Sequence, residues 1–200
     1  MMYKSTRDSK VSVSSAQAIA QGISKDGGLF VPENLPQIGA DEWAHLVNTD
    51  YVGRAAAVLG RFLTDFTEEE VAQCVRAAYS AERFRDPAIA PLHELEESVH
   101  VLELWHGPTC AFKDMALQIL PHLMRVSAQK KAGGREIVIL VATSGDTGKA
   151  ALEGFRDAEH TKILVFYPEE GVSPMQRLQM ATQDGKNVGV CAIKGNFDDA

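Results

Sequence analysis

Cysteine is scarce in this chain. Its 200 residues include three, Cys74, Cys110 and Cys191, widely spaced and with no CxxC. An odd, scattered set is neither a disulfide framework nor a zinc pattern, so reduced thiols in a cytoplasmic protein are expected. Positive charge is also short. Lys and Arg number 20 against 27 Asp and Glu, a formal net charge of −7. That balance opposes a broad footprint for nucleic acid or an anionic membrane. It does not bear on one small anion in one pocket, where local donors decide. The opening MMYKSTRDSK lacks the apolar core of a signal peptide, and no apolar run approaches membrane-spanning length. No repeat or low-complexity tract is present. None of the six histidines shows metal spacing such as HExxH. His106 adjoins a glycine–proline turn, where a satisfied structural histidine is the expected role.

What is present is ordinary for a globular chain, at 45% apolar and 24% charged residues. A compact fold of this length hides roughly 70% of the surface of the unfolded chain, so a core needs no staples. The periodicity places a helix in SSAQAIAQGI, with Ala16, Ile19, Ala20 and Ile23 on one face and Ser14 or Ser15 as cap. DGGLFVPE breaks it and leads into a short extended piece ending at Pro32. YVGRAAAVLGRFL reads as a helix with Val52, Ala55, Ala56, Leu59, Phe62 and Leu63 inward. TEEEVAQCVRAAY carries a capping box, Thr67 with Glu70, and an apolar stripe of Val71, Cys74, Val75 and Ala78. Paired prolines in RDPAIAPLHEL suggest a boundary, dividing the chain into residues 1–90, mostly helical, and 91–200.

Beyond that boundary strand and helix alternate. HVLELW, EIVILVAT, KILVFY and NVGVCAI read as strands, the last three as apolar runs buried on both faces. Helices are expected from Lys113 to about Lys131, with a kink at Pro121, over 146–158, and in SPMQRLQMAT with Pro174 in its first turn. The pattern predicts an α/β fold, a parallel sheet with flanking helices, preceded by a small mixed, mostly helical region. GNFDDA looks like a helix start capped by Asn196 or Asp198, which predicts an N-terminal piece of a longer protein.

Two motifs carry chemistry. In HGPTCAFKDMALQ, residues 106 to 118, a tight turn delivers Lys113 to the entrance of an apolar helix. Most lysines are solvated surface points; one in a dry pocket becomes a nucleophile and an imine former. In VATSGDTGKAALEGF a buried strand runs through Ser144, Gly145, Asp146, Thr147 and Gly148 into a helix. Ligands collect at such strand ends, and the helix N-terminus offers N–H groups and hydroxyls to a carboxylate or phosphate. A simple capped turn explains the spacing equally well. The loop is not a nucleotide P-loop, since Thr143 replaces the first glycine and Ala150 follows Lys149, and GxGxxG does not fit. Asp146 is odd inside an anion seat.

Together these motifs, with the opening YKSTRD…VSVSSAQAIAQGISKDGGLFVPE and the terminal GNFDDA, resemble threonine synthase of the bacterial and fungal type. The resemblance runs in order over nearly the whole chain. It implies the type II fold of pyridoxal-phosphate enzymes, shared with the tryptophan synthase β-subunit. It implies pyridoxal 5′-phosphate as cofactor, held as a Schiff base by Lys113 with Phe112 near its ring. Asp146 would face the cofactor's 3′-oxygen, and Ser144, Gly145, Thr147 and Gly148 would hold the substrate carboxylate. The implied reaction converts O-phospho-L-homoserine and water to L-threonine and phosphate. Alternatives are a threonine-synthase-like phospho-lyase, a serine/threonine dehydratase of the same fold, or a non-catalytic homologue. Two residues depart from the family pattern: Cys110 replaces a larger aliphatic, and Lys149 stands where small residues are common, with a solvated role expected. Family enzymes are about twice as long or more, so the chain alone is expected to fold in part, to lack turnover and to self-associate.

Overall fold

The computed structural model describes residues 1–131, 133, 135–143 and 145–199. The chain forms two compact units. The first comprises Met1–Tyr79 and His122–Gly134, the second Ser80–Pro121 and Arg135–Ala200.

The first unit opens with an antiparallel sheet in the order β2-β1-β3, formed by β1 (Met2–Ser5), β2 (Ser12–Ser14) and β3 (Phe30–Pro32). Helix α1 (Ser15–Gln21) starts at Ser14, whose Oγ accepts the Gln17 N–H at 3.4 Å. Ala16 is fully buried, whereas Ile23 lies past the helix end and is exposed, which shortens the expected apolar face. Helix α2 (Ala40–Val47) has no counterpart in the sequence reading. Its cap position is Gly39, which supplies no side-chain hydrogen bond, so the usual start signal is missing. Helix α3 (Tyr51–Phe62) starts where Asp50 accepts the Gly53 N–H at 2.7 Å. Its expected inward residues on the helix, Val52, Ala55, Ala56, Leu59 and Phe62, are half-buried; only Leu63, just past its end, is fully buried.

Helix α4 (Glu68–Ala78) has the predicted capping box: Thr67 Oγ1 accepts the Glu70 N–H at 3.2 Å, and Glu70 Oε2 accepts the Thr67 N–H at 2.7 Å. Its whole predicted stripe, Val71, Cys74, Val75 and Ala78, is buried. Lys130, from the second segment of this unit, lies 2.9 Å from Glu70 and over the Phe66 ring.

In the second unit, β4 (Leu92–Glu96) and β5 (Val99–Leu102) form an antiparallel hairpin. The strand expected in HVLELW therefore ends at Leu102 and stands outside the parallel sheet. The long helix expected from Lys113 is two helices, α5 (Asp114–Leu117) and α6 (Leu120–Lys131). The interruption precedes Pro121, because a proline there gives the Leu117 carbonyl no i+4 donor.

The sheet that positions the candidate site is β6 (Ile137–Ala142), β7 (Thr161–Pro168) and β8 (Val188–Ile193), parallel and in that order. Helices α7 (Asp146–Phe155) and α8 (Pro174–Ala181) make the crossovers. Ala150, Ala151, Leu152 and Phe155 of α7 and Met180 of α8 are buried, as are Ile163, Val165 and Tyr167 of β7. Each large side chain so buried stabilises the fold by roughly 1.5–3 kcal/mol. The other face differs from expectation. Val138 and Leu140 of β6 are 59% and 68% exposed, so this strand is covered on one face rather than both. A 3-10 turn, Phe197–Asp199, ends the described chain, with Asn196 Oδ1 accepting the Asp198 N–H at 2.8 Å. No helix of the described residues is long and apolar enough to cross a membrane.

Candidate active site

Both predicted motifs fall in the second unit. The turn before Lys113 is wound around a buried carboxylate. Asp114 is fully buried, and its Oδ2 accepts the Thr109 N–H at 2.9 Å while Oδ1 accepts the Thr109 hydroxyl at 2.7 Å. Gly107 packs so closely on Asp114 that a Cβ there would lie 2.5 Å from its Oδ2. The Cys110 N–H closes on the Gly107 carbonyl at 3.2 Å, with Cys110 itself at φ 58°, a conformation unfavourable for a residue with a Cβ. Burial pushes the Asp114 carboxyl above the ordinary carboxylate range, against the opposing pull of the Thr109 bonds. The role of Asp114 as the peg of the turn depends on burial that a local motif does not reveal. His106 is committed as expected of a structural histidine, its Nε2 being 2.6 Å from Glu103 Oε2.

Lys113 follows this turn at the cap of α5 and is half-buried. Among the described residues no hydrogen bond or ion pair holds its Nζ, which sits 4.4 Å from the centroid of the Phe112 ring, within cation–π range. Phe112 is 62% exposed and so presents a bare ring beside an uncommitted amine.

The second motif begins where β6 ends. The Thr143 N–H donates to the Phe166 carbonyl at 3.0 Å, extending the parallel ladder by one residue. The buried Thr143 hydroxyl accepts the Gly145 N–H at 3.1 Å and the Gly148 N–H at 3.0 Å. Helix α7 has no side-chain cap at Gly145, and Thr143 performs that task from two residues upstream. Ser144 lies outside the described residues. Gly145 has φ +153°, and a Cβ on it would lie 2.5 Å from the Gln176 side-chain amide. Asp146 and Thr147 are exposed, Gly148 is buried, and Asp146 Oδ1 accepts from Gln176 Nε2 at 2.8 Å. The Asp146 and Thr147 N–H groups in the first turn of α7 have no intrahelical acceptor by position, and they lie at the carboxyl end of a parallel strand, where anions bind. Lys149 differs from its expected solvated role: its Nζ donates to Gln183 and stands 3.6 Å from Glu153.

Helices α5 and α7 meet at one close approach. A Cβ on Gly154 would lie 2.1 Å from the Leu117 carbonyl oxygen, the same oxygen that Pro121 leaves without a helical donor. This contact ties the lysine-bearing segment to the helix that opens at Gly145. Thr143, Gln176 and Gly154 were not singled out from the sequence; Gln176 alone had a local signal, at the third position after Ser173 in a capping box.

The second unit is thus of the parallel α/β class, with a helix N-terminus at a strand end and, packed against that helix through Gly154, the short helix that follows Lys113. Comparison with known proteins narrows this class. Residues 2–79 match the family model described as threonine synthase N terminus. The whole chain is 40% identical to threonine synthase of Pseudomonas aeruginosa, covering 42% of that protein. Over 92% of its length it is 36% identical to threonine synthase-like 1 of Mus musculus, covering 25% of that protein. Its structure superimposes along its full length on the PLP-bound threonine synthase from Brucella melitensis, with a TM-score of 0.90 at 39% identity, covering 42% of that chain. The chain is similar along its whole length to threonine synthases and spans about two-fifths of the length of those it matches.

Proposed function

We propose that this chain provides the lysine turn and the carboxylate loop of a cytoplasmic threonine synthase, which converts O-phospho-L-homoserine and water to L-threonine and phosphate. The observation that carries the reading is the unengaged Lys113 amine, held by a turn pegged on Asp114 and packed through α5 against the anion-loop helix. Pyridoxal 5′-phosphate fits this donor set. Lys113 has no competing carboxylate among the described residues, Phe112 offers an exposed ring beside it, and Asp146 is an exposed carboxylate already oriented by Gln176.

Lys113 would hold the cofactor, Phe112 would pack beside it, and Asp146 would face its 3′-oxygen. When bound, the cofactor supplies an electron sink for negative charge at the substrate α-carbon. Ser144, Gly145, Thr147 and Gly148 would seat the substrate carboxylate, the N–H groups and hydroxyls of Ser144 and Thr147 donating to it while Thr143 holds the Gly145 and Gly148 N–H groups, and would fix which hydrogen faces Lys113. The Lys113 amine would then move protons at Cα and Cβ as general base and acid. Over the whole reaction the Cγ–O bond breaks, phosphate departs, Cγ gains a hydrogen, and the hydroxyl of water ends on Cβ. Identity to threonine synthases along the whole chain favours this substrate over those of the related phospho-lyases and dehydratases.

The test is product analysis with the complete protein. Phosphate and L-threonine should form from O-phospho-L-homoserine, with little turnover of O-phospho-L-threonine, L-serine or L-threonine. Preferred dehydration of serine or threonine would reject the reading in favour of a dehydratase. The 200-residue chain alone should show no turnover, and its open β6 face should promote self-association.

A further inference from the structure

We infer that Gln176, on α8, is a positioning residue for the candidate site: it orients the Asp146 carboxylate and backs the anion loop at Gly145. The inference rests on the proposed role of Asp146 toward the cofactor.

Three observations support it. The Gln176 amide fills the space a side chain at residue 145 would occupy, since a Cβ on Gly145 would lie 2.5 Å from its Nε2 and 2.8 Å from its Oε1. The amide is also oriented. Its Oε1 accepts the Ser173 N–H at 3.3 Å, and Nε2 is left to donate to Asp146 Oδ1 at 2.8 Å. Finally, Gln176 is rooted in the first turn of α8, where its own N–H donates to Ser173 Oγ at 3.3 Å. One side chain thus joins the start of α8 to the first helical residue of α7.

A capping box accepts glutamate as readily as glutamine at its third position. Glutamate would preserve both reciprocal bonds with Ser173. It would also replace the amide donor to Asp146 with a second carboxylate, and two carboxylates in contact repel or share a proton. The choice of glutamine is therefore indifferent for the cap and decisive for Asp146. The same distinction gives a pair of variants with opposite expectations. Gln176→Glu keeps the cap and disturbs the site. Ser173→Ala weakens the cap and leaves the amide beside Asp146.

The experiment uses the complete enzyme loaded with pyridoxal phosphate, and reads the visible absorbance of the bound cofactor, the melting temperature, and kcat and KM for O-phospho-L-homoserine. For Gln176→Glu the expected result is a displaced cofactor band and kcat lower by about tenfold or more, with a melting temperature within about 2 °C of wild type. For Ser173→Ala the melting temperature should fall while the band and kcat stay in place. A wild-type band and kcat in Gln176→Glu would overturn the inference, as would equal spectral changes in both variants. Asp146→Asn separates the inference from the reading beneath it. If Asp146→Asn moves the band and Gln176→Glu does not, the role of Asp146 stands and that of Gln176 falls. If Asp146→Asn leaves the band unchanged, or wild type shows no cofactor band, both fall.

Discussion

Replacing Thr143 with valine should loosen the anion loop by an amount that can be worked out bond by bond. Valine keeps the branched shape and removes the acceptor. The buried Gly145 N–H, now 3.1 Å from the hydroxyl, would lose its partner. An unsatisfied buried donor costs about 1–3 kcal/mol. The Gly148 N–H would keep the Gly145 carbonyl at 3.0 Å and lose the hydroxyl, also at 3.0 Å, a weakening of up to about 1 kcal/mol. The expected total is a destabilisation of about 1–4 kcal/mol, measured by urea unfolding as a lower midpoint at unchanged slope. Thr147→Val, at an exposed position, serves as control and should stay within about 0.5 kcal/mol of wild type. If Thr143→Val also stays within that margin, the hydroxyl is not the substitute for the missing cap of α7.

Two further outcomes follow from packing and burial. Gly154→Ala would drive a methyl to 2.1 Å from the Leu117 carbonyl oxygen. Since that neighbour is backbone, relief requires α5 and α7 to part, at a cost of about 3 kcal/mol or more. Thermal melting should record the loss, and cofactor binding by the complete protein should weaken with it; a wild-type melting curve would show that α7 is not seated on α5 as described. Burial pushes the Cys74 thiol up to about 11. An unfolded thiol titrates first, so the stability this group contributes is fully present below its ordinary range and is lost as pH rises through about 11. At pH 8, iodoacetamide should therefore label exposed Cys110 and Cys191 in the native chain and reach Cys74 only after unfolding. Labelling of Cys74 at an equal rate would contradict its buried placement.

Much of the fold is legible in residue patterns because local signals and tertiary packing agree there. Thr67 and Glu70 announce α4, and its stripe is buried as the spacing requires. The runs EIVILVAT, KILVFY and NVGVCAI become three parallel strands because helices of suitable length separate them. Where the reading falls short, the deciding interaction is non-local or carries no side-chain signal. Helix α2 begins at a glycine, so nothing in its cap announces it. LHELE and VHVL pair as a hairpin through their partner strand, not through an alternation of their own. The apolar run of β6 shows that both faces are oily, but not which face the described helices cover.

The candidate site divides in the same way. The residues in its two motifs are visible as chemistry in the sequence. The residues that hold them are not. Asp114 is a peg because Gly107 and Thr109 close over it, Thr143 is a cap because the loop folds back on its hydroxyl, and Gln176 reaches Asp146 from 30 residues away.

On the proposed function, Lys113 is the amine that would bear the cofactor. Borohydride reduction of the complete protein loaded with pyridoxal phosphate, followed by peptide mapping, tests it most directly. The pyridoxyl group should be found on the peptide containing Lys113 and be absent after Lys113→Ala. Its recovery on Lys149, which Gln183 and Glu153 already engage, or on any other lysine, would contradict the account.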